Sequence, residues 1–174
     1  MRRAAGTELP QARTYNVGSK VGTGGVAPVW IAIYSVRGDS MTPSLHASDR
    51  LLVSFRPFAT YAPRRGDLVV VRDPRAVERL YIKRVVGLPG EEVRLSQGLL
   101  FVGGERLPEP YLEGLPASPG MAESRWSLDQ GQYFVMGDNR AHSTDSREFG
   151  PVGLGQIEGR AWFRFWPLGR WGRI

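Results

Sequence analysis

From Val36 onward the chain is a succession of short apolar runs rich in β-branched residues: Leu51–Phe55, Leu68–Val71, Leu80–Val86, Val93–Leu95, Leu99–Val102, Tyr133–Met136 and Ala161–Trp166. Runs of this length and composition predict strands. Turn signals separate them, among them Arg65-Gly66-Asp67, Leu88-Pro89-Gly90, Gln97-Gly98 and Gly137-Asp138-Asn139. Residues 92–102 predict a hairpin turning at Gln97-Gly98. No long stretch keeps a helical period, and Ser40–Leu45 predicts a single helical turn. Residues 103–131, broken by prolines and glycines, read as a surface insertion. Residues 4–25 read as a loose arm. The expectation is a mostly β domain over 36–174 with a few short helical turns, preceded by an N-terminal arm over 1–35.

With 174 residues and 41% apolar content, the chain makes one domain with a real core. It has no cysteine, which excludes disulfides, thiolate nucleophiles and cysteine-bound metals. Two histidines, His46 and His142, are too few for a histidine-rich metal site. No cofactor or metal is expected. The net charge of +6 is unevenly spread. Residues 1–37 hold five basic groups against one acid, residues 160–174 hold four arginines and no acid, and the middle is slightly acidic. Basic ends fit contact with an anionic surface, lipid or nucleic acid.

The 23 basic residues comprise 21 arginines and two lysines, Lys20 and Lys83. Arginine keeps its proton in a protein, whereas a desolvated lysine can release it. Lys83 lies in Tyr81-Ile82-Lys83-Arg84-Val85-Val86. On a strand, Tyr81, Lys83 and Val85 share one face and Ile82, Arg84 and Val86 the other. One of the two adjacent cations then faces inward, unless the strand is an edge with both solvated. An inward Lys83 in an apolar setting becomes a general base near neutral pH.

Ser40 follows Gly38-Asp39, where glycine frees the backbone to turn and present the hydroxyl. Backbone N–H groups of a turn starting there suit an oxyanion. The alternative is Ser40 as a helix cap. The block Gly137-Asp138-Asn139-Arg140-Ala141-His142-Ser143-Thr144-Asp145-Ser146-Arg147 is dense in hydrogen-bonding groups. Asp138 with Arg140, and Asp145 with Arg147, read as pairs that fix a loop; the alternative is a polar surface loop. His142 beside Ser143 suggests a serine–histidine–aspartate triad only weakly, because neighbouring side chains diverge and no G-x-S-x-G elbow is present. The tail Gly159–Trp171 interleaves Trp162, Trp166 and Trp171 with arginines. Such a run suits a water–lipid boundary or single-stranded nucleic acid, or packs its aromatics into a final strand.

Taken together, GDSMTPSL from Gly38, RGDLVVVRDP from Arg65, YIKRVVGLPGE from Tyr81 and GDNRAHSTDSREFGPV from Gly137 occur in an order and spacing that closely resemble the bacterial type I signal peptidases. The tail GRAWFRFWPL resembles that family's C-terminal segment. The resemblance implies a coiled, mostly antiparallel β domain and a membrane-associated serine endopeptidase. Its substrates would be exported preproteins, cut after an Ala-x-Ala type signal sequence on the extracytoplasmic face of the cell membrane. Its partners would be signal peptides and membrane lipid, with no nucleic acid. By the same resemblance Ser40 is the nucleophile, Lys83 the general base, and Ser143 the residue orienting the lysine. Asp145 and Arg147 are a supporting ion pair, and Asp138 and Arg140 are structural. Val36, Met41, Leu45, Tyr81 and Ile82 line the substrate pockets. Ser40 N–H serves the oxyanion. A serine that some members carry two residues earlier is replaced by Gly38, which offers only backbone.

The N-terminus departs from the family pattern. A transmembrane anchor usually precedes the catalytic block, but here the apolar stretch is only Val26–Tyr34, nine residues with a proline, and no signal-peptide h-region follows Met1-Arg2-Arg3. Two readings stay open: an anchor outside this sequence, with 1–35 its remnant, or peripheral attachment. Two competing functions are a more specialised serine–lysine protease and a non-enzymatic basic β module. The latter leaves Ser40, Lys83 and Ser143 without a role.

Overall fold

The apolar runs become strands because alternate side chains find a common interior. The structure, a computed structural model, describes residues 13–15, 30–55, 62–112 and 122–174. The strands are β1 (Arg13–Tyr15), β2 (Trp30–Ser35), β3 (Arg50–Phe55), β4 (Leu68–Asp73), β5 (Ala76–Gly87), β6 (Glu92–Ser96), β7 (Leu99–Val102), β8 (Glu105–Arg106), β9 (Ser124–Ser127), β10 (Gln132–Met136), β11 (Val152–Gly153), β12 (Ile157–Trp166) and β13 (Gly172–Arg173). One short helix, α1 (Ser146–Phe149), and three single 3₁₀ turns accompany them.

Antiparallel pairing builds a main sheet in the order β1-β2-β3-β12-β4-β5-β10-β11, with β13 also on β12. A second antiparallel sheet runs β8-β7-β6-β9. The two meet at Gly87, the last residue of β5. A Cβ there would lie 2.6 Å from Val93 Cγ2 and 2.9 Å from Leu128 Cδ1, so only glycine lets the chain pass between them. Three apolar clusters fill the interior. One lies around Ala32, Met41, Leu45, Leu51, Val53 and Ile82, a second around Val69, Tyr81, Val85 and Val135, and a third around Val93, Leu100, Phe134 and Met136.

All seven expected strands form, several of them longer than their apolar runs. The hairpin turns where expected, with Gln97 at φ 51° and Gly98 at φ 78°. Two successive positive φ values match the right-handed twist of the flanking strands. Ser40–Leu45 makes the expected single turn, with Thr42 N–H on Asp39 O at 3.0 Å and Leu45 N–H on Met41 O at 2.8 Å, and no helix follows for Ser40 to cap. Two readings change. Residues 103–131, read as a surface insertion, supply β8 and β9, the two outer strands of the second sheet. The sheet also begins before Val36, because all six residues of β2 pair with β3. The arm at 4–25 lies outside the described residues apart from β1, as do Val26–Val29 of the apolar stretch. No helix among the described residues is long and apolar enough to cross a membrane.

Candidate active site

The loop between β2 and β3 carries Ser40. Its ends are tied together by Val36 N–H on Asp49 O at 2.8 Å and Ser48 N–H on Val36 O at 2.9 Å. Met41 and Leu45 drop into the first apolar cluster, which presses the intervening turn against the sheet. Lys83 stands on β5 opposite Val69 of β4. It is the largest fully buried side chain among the described residues. Its Nζ lies 2.8 Å from Ser40 Oγ and 3.0 Å from the Ile82 carbonyl oxygen. Ser40 is likewise closed to solvent. Of the two adjacent cations, Lys83 is the one that turns fully inward.

Burial drives the Lys83 pKa from the ordinary 10.5 down to about 8, against the pull of Asp145 and Asp138, while Arg147 adds to the lowering. Desolvation wins because neither carboxylate is free to serve the lysine. Asp138 is held by both Nε and Nη2 of Arg84, at 2.9 and 2.7 Å. Asp145 is held by Arg147 Nη2 at 2.8 Å and accepts from Gly137 N–H at 2.9 Å. Burial pushes the Asp145 carboxyl up, but the Arg147 ion pair and the Gly137 N–H outweigh it and hold the group below the usual carboxylate value. Each acid thus spends its field on an arginine, and the amine faces a hydroxyl and a carbonyl.

Most of the expected residues converge here, with revisions. Asp145 and Arg147 pair as read, and Asp145 also accepts from Arg147 N–H as the cap of α1. Asp138 and Arg140 do not pair with each other. Asp138 turns to Arg84, and Arg140 forms an ion pair with Glu109 and donates to Gly137 O at 3.1 Å. Arg84 and Glu109, brought up from other parts of the fold, take up Asp138 and Arg140 separately. Ser143 Oγ is buried and makes no hydrogen bond to Lys83, so the lysine-orienting bond expected of it is not formed; its hydroxyl acts on Asp145 instead, helping to hold that carboxyl low, and Ile82 O accepts from the amine. Ser143 stands instead against Gly137, where a Cβ would come within 2.2 Å of its Oγ and 2.5 Å of the Ser40 carbonyl oxygen. A glycine at 137 therefore lets the 137–147 block close over the Ser40 main chain.

Gly38, at φ 75°, is exposed two residues ahead of the buried serine. Val36, Met41, Leu45 and Ile82 gather in one cluster beside Ser40, while Tyr81 packs in the neighbouring one. Tyr81 donates its hydroxyl to Asp73 at 3.1 Å and faces Lys83, whose Nζ sits 5.2 Å from the ring centroid. His142 is exposed beside Asn139 Oδ1, away from any triad geometry. His46 is exposed as expected of a surface residue. Among the described residues no cluster of three or more His, Asp or Glu side chains could hold a metal ion. The reading of sequence missed Arg84 as the partner of Asp138, although its place beside Lys83 marked it. It also missed Glu109, which sits in the stretch read as an insertion.

Residues 22–166 match the signal peptidase family, peptidase S26. The chain belongs to that family. The family is one of serine peptidases. Over 144 residues the chain is 38% identical to the probable signal peptidase I-2 of Synechocystis, covering 80% of this chain and 65% of that protein. It is 35% identical over 148 residues to the signal peptidase I of Bacillus caldolyticus, covering 78% of this chain and 79% of the relative. A crystal structure of a signal peptidase I from Enterococcus faecalis superposes with a TM-score of 0.51 at 32% identity, covering 57% of this chain and 97% of the other. The antiparallel β architecture is that of the family.

The buried amine carries a cost that can be measured. Lowering a lysine pKa from 10.5 to about 8 corresponds to roughly 3 kcal/mol of disfavoured ammonium. Below about pH 8 both the folded and unfolded chains are protonated at this group and the whole penalty stands; between about 8 and 10.5 the folded amine is already neutral, so stability rises with pH. Lys83→Met is therefore expected to be more stable than the parent at about pH 6, with the gap narrowing towards about pH 10. Urea unfolding of both chains at the two pH values checks this. A gap that is absent or that widens with pH contradicts it.

Proposed function

We propose that the chain is a serine endopeptidase that removes signal peptides from exported preproteins, cutting after small residues. The observation that supports this most strongly is the 2.8 Å approach of a solvent-free lysine amine to Ser40 Oγ, within a family of signal peptidases. The neutral amine accepts the Ser40 proton as the oxygen attacks the scissile carbonyl. The resulting ammonium passes that proton to the leaving amine, and an acyl-enzyme remains. Water then attacks the ester, Lys83 again accepting the proton and returning it to Ser40. The oxyanion would be met by Ser40 N–H and by backbone at Gly38, the residue whose conformation opens the turn. The Ile82 carbonyl keeps the amine aimed at Ser40 through the cycle.

Val36, Met41, Leu45 and Ile82 would wall a shallow apolar site beside the nucleophile. They are apolar and gather beside Ser40, which suits small aliphatic side chains on an extended, strand-like peptide. Asp145, Arg147, Asp138 and Arg140 support the site by holding the 137–147 block. No cofactor takes part in this reading.

The same reading places the catalytic domain on the extracytoplasmic face of the cell membrane, against lipid. Supporting this is the rim at the end of β12. Trp166, Leu168 and Trp171 are 47%, 69% and 68% exposed, and Arg170 lies among them. Trp162 and Phe163 are half-buried behind that rim. Exposed aromatics with arginine suit the headgroup layer.

Variants at the paired residues, the pH dependence of the rate and vesicle binding test the proposal. Ser40→Ala is expected to fold and to lose cleavage of a preprotein bearing an Ala-x-Ala site, and Lys83→Arg is expected to be as inactive as Lys83→Ala. Loss of base catalysis costs on the order of 10²–10⁴ in rate. The parent's rate should climb as pH passes through about 8, where Lys83 gives up its proton. An active Lys83→Arg chain, or unaltered turnover by Ser40→Ala, contradicts the assignment. Separately, the chain should co-sediment with anionic vesicles, and Trp166→Ser with Trp171→Ser should release it, these two residues being exposed enough to leave the fold intact. A parent that stays in the supernatant with every lipid contradicts docking through the rim.

A further inference from the structure

We propose that Asp49, gripped by Arg164 and Arg170, is a positioning residue for Ser40, clamping the nucleophile loop to the C-terminal segment. This rests on the peptidase reading of Ser40. Asp49 closes the 36–49 loop nine residues after the serine and is fully buried. A buried carboxylate is tolerated only when it is paired and hydrogen-bonded. Both of its oxygens are satisfied. Oδ1 accepts from Arg170 Nη2 at 2.6 Å, and Oδ2 accepts from His46 N–H at 3.0 Å and from Arg164 Nη1 at 3.3 Å.

The two arginines reach further into the same loop. Arg164 Nη1 also donates to Ser44 O at 2.9 Å, and Arg170 Nη1 lies 2.5 Å from His46 Nδ1. They lock each other as well, Arg164 Nε donating to Arg170 O at 2.5 Å. The half of the loop after the nucleophile is thus pinned to residues 115 and 121 positions away in the chain. The half bearing Ser40 has one further tie, Asn139 N–H on Ser40 O at 3.0 Å. Main-chain bonds from Leu45 N–H to Met41 O and from Asp49 N–H to His46 O connect the clamp to the turn behind Ser40. Asp49 touches neither Ser40 Oγ nor Nζ of Lys83 through any of these contacts, so its contribution is geometric. A misplacement of about 1 Å at a reacting atom can cost on the order of 10² in rate.

Asp49→Asn is the informative variant, because it keeps the shape and an acceptor for His46 N–H while removing the charge. On a signal-peptide substrate its kcat is expected to fall between about tenfold and a hundredfold with KM unchanged. The pH midpoint of kcat should not move, since the base is untouched. Arg170→Gln should lower kcat in the same sense, and the double variant should lose no more than the worse single one. Amide hydrogen exchange supplies a readout independent of activity. In Asp49→Asn the Val36, Leu45 and Asp49 amides should lose protection while Val69 and Val85 keep theirs. Unchanged kcat in a folded Asp49→Asn, additive losses in the double variant, or protection lost uniformly across the sheet would each overturn the clamp. Should the parent itself fail to cleave, the peptidase reading falls, and the exchange pattern still decides whether Asp49 clamps the loop.

Discussion

The site depends on keeping one amine out of water without giving it a carboxylate. Lys83 is fully buried on β5, and two acids act on it from nearby, Asp138 and Asp145. Left unpaired, either would restore the lysine's charge and end its usefulness as a base. The fold prevents this by giving each acid its own guanidinium, Arg84 for Asp138 and Arg147 for Asp145. Much of the polar architecture around Ser40 follows from that requirement. The 137–147 block supplies both acids and folds back through Gly137, whose missing side chain admits Ser143 and the Ser40 main chain into the same space.

Strand pairing supplies the rigidity this arrangement needs. β5 pairs with β4 along one edge, to Arg84, and with β10 along the other, from Arg84 to Gly87, so Lys83 sits beside the stretch of the strand held on both edges. The loop carrying Ser40 joins β2 to β3, two strands removed from β4, and is drawn towards β5 by Met41 and Leu45 entering the same cluster as Ile82. Apolar burial therefore sets the approach of Ser40 to Lys83. Hydrogen bonds from the 137–147 block and ion pairs from the C-terminal segment then fix its detail.

What could be read in advance divides along the same line. Short apolar runs rich in β-branched residues mark strands because strand propensity and burial of a short run are local properties, and every such run formed a strand. Ser40 and Lys83 stood out in the sequence as residue types suited to one chemistry within blocks that match a family, and the fold brings them to 2.8 Å of each other. Ion-pair partners were not. Asp138 looks two residues along to Arg140 in the sequence, yet it meets Arg84, 54 residues away, while Arg140 meets Glu109. Pairing across a fold depends on which strands become neighbours, and short-range spacing carries no record of that. β8 and β9 were missed for a related reason. Glu105-Arg106 and Ser124–Ser127 are edge strands with half-exposed or exposed positions, so they have no apolar run to announce them. Asp49 was passed over because a single acid in a turn looks solvated until its arginines arrive from the tail.

The central claim, a buried lysine amine tuned to act as a base, can be tested directly because the chain has two lysines. Labelling lysine with ¹³C at Cε gives two resonances, for Lys20 and Lys83, assigned by Lys20→Arg. Following them through a pH titration measures the ionisation of each amine in the intact protein. The account predicts that the Lys83 resonance titrates with a midpoint of about 8. A Lys83 midpoint at the ordinary lysine value of 10.5 would mean that the amine is charged whenever substrate meets Ser40, and would contradict the account.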